Sequence, residues 1–176
     1  IAIGVNAAAN GNNLSNTAVG SNSIATGTNS SAFGANAHAF GSQSSAFGLG
    51  NTANGGNSAA LGPNNTATGN NSAAVGSTNA VNGDGSAAFG SGNAINGTNY
   101  AAVGSNNVVA GNNGAAVGYG NGVIGDNNAS FGSSIGIPGG NNAALGSFST
   151  VTGSNSAAVG YFNNVSGHNS GALGTC

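Results

Sequence analysis

The chain has 176 residues and almost no charge: no Lys, no Arg, and only Asp84 and Asp126 as carboxylates. An average chain carries about 25% charged residues. Nucleic-acid binding by counterion release and a polybasic grip on anionic lipid both need cations that this chain lacks.

No apolar run approaches the roughly 18 residues of a membrane helix, so no spanning segment is expected. Low charge with abundant Gly, Ser and Asn resembles the composition of disorder. Disordered chains, however, are poor in apolar residues, whereas this one is 38% hydrophobic with strict placement. That placement is a repeat, and fixed-period self-similarity decides the architecture.

The chain opens in a strand at Ile1-Ala2-Ile3-Gly4, and a second strand ends near Ala9. Gly11 to Gly20 spans nine residues, so two extra residues near Asn12 and Asn13 should bulge at a corner. From Gly20 to Gly174 every seventh residue is glycine, in two alternating kinds, which makes the unit 14 residues. Interior glycine at that density excludes helix, since each costs about 1 kcal/mol relative to Ala. The reading is all-β: a single parallel β-solenoid or β-roll domain over 1–176, with 14 residues and two short strands per coil and about 12–13 coils. At roughly 4.8 Å per coil, the rod is on the order of 60 Å long.

Within each coil, strand one ends on the first kind of glycine. The residue before that glycine is bulky and apolar in every copy, from Ile3, Val19 and Phe33 to Val103, Val159 and Leu173; the residue two before is Ala everywhere except Ser130. Alternating strand faces then put the bulky column in the core and the alanines outside. Strand two carries an apolar column two residues before its own glycine, running from Ala25 and Ala39 through Val81, Ile95 and Val109 to Val165. Val103 and Val109 should therefore share one interior, with Phe33 and Phe47 facing the small Ala39 and Ala53.

Polar corners join the strands. Asn51, Asn65, Asn79, Asn93, Asn107 and Asn121 form one column, and Asn57, Asn71, Asn99, Asn113, Asn127, Asn141, Asn155 and Asn169 another. Asn tolerates left-handed backbone and, stacked coil on coil, forms amide ladders. Pro63 falls at a corner and is harmless. Pro138 falls in strand two, so Ile135 to Gly140 should be irregular.

The hexapeptide Asn71-Ser72-Ala73-Ala74-Val75-Gly76 recurs intact at Asn155 to Gly160, and with Leu61 for Val at Asn57 to Gly62. This Asn-Ser-x-Ala-Val/Ile-Gly signature at a 14-residue period resembles the head repeats of trimeric autotransporter adhesins. The resemblance implies a left-handed parallel β-roll, three chains packed side by side, and a place at the cell surface. It also implies that the outward alanines, Ala60, Ala74, Ala88 and Ala102, let neighbouring rolls approach.

Chemistry is hard to place on this frame. Asp84, Asp126 and His168 share a corner column at 42-residue intervals, which is three coils. About 14 Å apart, they are too distant to act as paired glycosidase carboxylates, which need roughly 5 to 9.5 Å. A shared metal is excluded by ligand bonds of about 2 to 2.6 Å. No catalytic residue, metal ligand or cofactor is expected, and the chain does not read as an enzyme. The surface candidates are aromatic: Phe148 and Phe162 in one corner column, with Tyr119 and Tyr161 in the column beside it.

Neither end carries a capping element, so the expectation is either a piece of a longer protein or a subunit that stacks end to end, since bare terminal coils are exposed sheet edges. The single Cys176 would then be a free thiol or an intermolecular crosslink at the junction. The leading function is an extracellular structural rod, a fibre or adhesin head. It would associate with itself as a trimer or an end-to-end filament, and with a host or matrix surface. An ice-binding solenoid with an uncharged Thr and Asn face is the runner-up. Because there is little Coulomb energy to screen, its self-association should be nearly insensitive to salt. Sedimentation at low and near-molar NaCl should return the same species, and dissociation at high salt would contradict the absence of ionic contacts.

Overall fold

A coil that returns after 14 residues can satisfy its backbone only through the coils above and below it. The computed structural model, which describes residues 1–11 and 15–175, has this arrangement. Among the described residues, thirteen strands form one parallel sheet and twelve form a second. Each strand pairs in register with the strand one coil on, as in Ala73↔Ala87 and Val75↔Phe89 in the first sheet and Ala80↔Ala94 in the second. The first coil alone is offset by 16, with Ala2↔Ala18 and Ala8↔Ile24. The register thus absorbs two extra residues between Ala9 and Thr17; Asn12 and Asn13 themselves lie outside the described residues.

The facing of strand one is the reverse of that expected. The alanines two before the glycine, including Ala60, Ala74, Ala88 and Ala102, are fully buried. The bulky residues beside them point outward, Val103 being 40% exposed. Strand two behaves as expected, with Ala25, Val81, Ile95 and Val109 all buried. The physical reason is depth. Each strand contributes one inward column, so the interior is a single side chain deep, and Ala opposite Ala, Val or Ile fills it. Phe33 and Phe47 do not face alanines across a core; they stack outside it with ring centroids 4.8 Å apart and planes 9° apart. The alanines proposed to let rolls approach are the core itself.

Polar ladders flank this thin core. The column from Asn51 to Asn121 sits at a corner, but its amides are buried. Asn93 shows the pattern: its backbone N–H and its Nδ2 both donate to Asn79 Oδ1 at 3.0 Å, and Nδ2 also donates to the carbonyl of Gly104 in the next coil at 2.9 Å. Each amide therefore clamps one coil to the next. The ladder breaks at Ile135, which is buried in the same column. There the amides change corners: Asn128 Nδ2 donates to Gly139 O at 2.6 Å, and Asn142 Nδ2 to Gly153 O at 2.7 Å. The second Asn column takes left-handed backbone as expected, with φ of 55° at Asn57 and 53° at Asn71. Pro138 lies just past the strand Gly136–Ile137 and cannot donate as Thr152 does to Val165 O at 2.9 Å; pairing to the next coil shrinks to Gly136↔Thr150.

Tyr100 was not singled out by sequence. It replaces serine in the column Ser72, Ser86, yet it is 2% exposed, and its hydroxyl donates to Asn128 O two coils away at 3.0 Å. Gly114, in the intervening coil, leaves room for the ring; a Cβ there would meet the ring at 2.6 Å. The visible signal was the sequence Ser86, Tyr100, Gly114, Asn128 down one column, a large residue followed by none.

Two outcomes follow from this packing. Ala102→Asp places an unpaired carboxylate in the core, which costs several kcal/mol, so thermal unfolding should shift strongly downward. Val103→Asp, compared at concentrations where both variants are dissociated, should leave the coil's own stability close to unchanged. Equal destabilisation by the two would restore the opposite facing. Burial also pushes the Tyr100 hydroxyl well above the usual phenol range. A raised folded pKa stabilises fully below the unfolded value, about 10, and that contribution is lost as pH rises past it. Denaturation against pH should therefore show stability falling above about pH 10, with a smaller fall in Tyr100→Phe.

Candidate interaction surfaces

The ionisable side chains act as backbone caps at one corner. Asp84 Oδ1 accepts the N–H of Asn70 at 2.7 Å, Asp126 Oδ1 that of Asn112 at 2.8 Å, and His168 Nδ1 that of Ser154 at 3.2 Å. Neutral Asn70 and Asn112 play the same part for Gly56 and Thr98. The column thus has a repeated structural task that charge does not alter. Among the described residues, no group of three His, Cys, Asp or Glu could hold a metal. His38 lies against Phe40, ring centroids 5.3 Å apart.

The outer face of the first sheet carries a long row of exposed apolar residues. Phe47, Leu61, Phe89, Val103, Phe131, Leu145 and Val159 are all exposed on it, one per coil. The alanines three before the glycine, such as Ala73, Ala87 and Ala101, share that face by strand alternation and are only partly covered. The result is a flat stripe, bulky beside small, running along the rod. Beside it, Asn127, Asn141, Asn155, Ala129, Ala143 and Ala157 line a shallow groove. Monomeric proteins rarely leave contiguous apolar surface beyond a few hundred Å².

Three of the four aromatics named from sequence come together. Phe148 lies 5.7 Å from Tyr161 and 6.3 Å from Phe162, and Tyr161 is 5.5 Å from Phe162, ring centroid to ring centroid. All three are about half exposed. Tyr119 is exposed in the same column as Tyr161 but three coils away, with Ser133 and Ser147 between them. Cys176 lies outside the described residues.

The outer face of the second sheet is less regular. Thr68 donates to Asn82 Oδ1 and Asn82 to Asn96 Oδ1, each at 2.8 Å, so these side chains bond one another. Phe40, Ala110, Ile124 and Pro138 interrupt the column.

No curated protein matches the chain. A family model described as the YadA head domain repeat (2 copies) matches residues 17–37, 25–51, 39–65, 53–79, 67–93, 143–163 and 152–175. These matches overlap into two blocks that cover more than half of the sequence. With the 14-residue parallel coil, they establish that the chain belongs to the YadA head domain repeat family.

Proposed function

We propose that this chain is an extracellular structural rod, an adhesin-head β-roll whose first-sheet stripe packs against other copies side by side. The observation that supports it most is the continuous outward column from Phe47 to Val159. Removing such a surface from water stabilises association by roughly 25 cal/mol per Å² of apolar area. Alternation of bulky residues with alanine allows facing stripes to interdigitate. Membership of the YadA head repeat family supports a trimer at the cell surface, with a host or matrix surface as the outer partner. The role is mechanical rather than catalytic.

Sedimentation of the wild-type chain against Phe89→Asp/Val103→Asp tests this. The wild type should sediment as an oligomer of three. Two unpaired carboxylates buried at the interface should weaken association by about a hundredfold or more, with the β-sheet circular dichroism unchanged. A wild type that remains monomeric at high concentration would remove the proposal.

A further inference from the structure

Phe148 and Phe162 occupy a turn position with left-handed backbone, φ 53° and 63°. In other coils the same position holds Asn22, Asn36, Gly50, Asn64, Gly92, Asn106 or Gly120, residues suited to that region, or the small polar Thr78 and Ser134. A bulky side chain there is an outlier, and such strain clusters at ligand-contacting positions. Here the strain is not offset by burial within the chain, because both rings stand about half exposed. What the substitution achieves is an outward display of aromatic faces. The two Phe planes lie 26° apart at 6.3 Å, and Tyr161 closes the cluster edge-on to Phe148 at 72°.

From this geometry we infer that Phe148, Tyr161 and Phe162 form a stacking platform for a neutral saccharide. Charge selects the class. The chain has no Lys or Arg, and Asp84, Asp126 and His168 lie after strand two, at the corner opposite the rings. A phosphate, sulfate or sialic acid finds no cation here. Shape selects further: the rings stand on a convex corner, which cannot enclose and desolvate a peptide's anchoring side chain. A pyranose needs no enclosure, since its flat C–H face stacks on an open ring while its hydroxyl rim bonds to neighbours. Those neighbours are present in the preceding coils. Ser134 precedes Phe148 in its column, and Ser133 and Ser147 precede Tyr161, with hydroxyls 3.2 Å apart. Hydroxyls and rings together span three coils, about 10 Å, enough for two sugar residues. This site goes beyond the structural role proposed above and does not depend on it.

The test applies the full chain to immobilised neutral oligosaccharides (β-linked glucose, galactose and N-acetylglucosamine tetramers) beside sialylated and sulfated ones. Phe148→Asn/Phe162→Asn serves as the control, because Asn is the ordinary occupant of that turn. The wild type should be retained on at least one neutral oligosaccharide. The variant should bind about tenfold more weakly or less, with an equal or higher melting temperature and the same oligomeric state. Retention on anionic glycans alone, on none, or equally by the variant would overturn the inference. A change of oligomeric state in the variant would overturn it too, by assigning the rings to subunit packing.

Discussion

The structure depends on coil-to-coil backbone pairing at a fixed rise. With the next coil about 4.8 Å away, every position must fit against its own equivalent. At Gly104, where φ is 116°, a Cβ would run into the carbonyl oxygen of Gly118. Glycine at that point is therefore a spacing requirement as well as a conformational one, and it forces each coil to close at the same length. Everything else is built in columns because the backbone allows nothing else.

Columns make the core thin. One inward residue per strand leaves no second layer, so stability comes from repetition rather than depth, and from buried amides that add hydrogen bonds where apolar area is short. The Asn79 to Asn107 ladder serves this end: each Nδ2 bonds both the preceding ladder amide and the next coil's carbonyl. Such networks rigidify only when every member is satisfied. The thinness also determines the exterior. Bulky residues that cannot fit inside line the outer face of the first sheet, and the surface that would associate is generated by the same constraint that empties the core.

Much of this was legible in the sequence. The period gave register, sheet type and coil number, and the Asn57 column was correctly read as left-handed turns. The strand-two core column was also correct. Strand one was inverted because bulk was taken as the sign of an interior. Yet the near-invariant Ala column, broken only at Ser130, was the stronger sign, since a one-layer interior tolerates little variation in size. Tyr100 breaks a column of serines, and only the gap at Gly114 in the next coil reveals a ring crossing it. Among the aromatics, the shared columns were legible, but grouping Tyr119 with Tyr161 passed over the three coils between them, and the association of Phe148, Tyr161 and Phe162 needed side-chain directions.

The change of corner by the amide ladder has a mechanical consequence. A stack fastened more firmly along one edge yields first along the other. From Asn51 to Asn121 the buried amides fasten the edge after strand one; at Asn128 and Asn142 they fasten the edge after strand two. A sideways load that peels one segment open presses the other closed. The rod is thus braced against bending in two opposite senses along its length, as a beam is when its reinforcement crosses from one flange to the other.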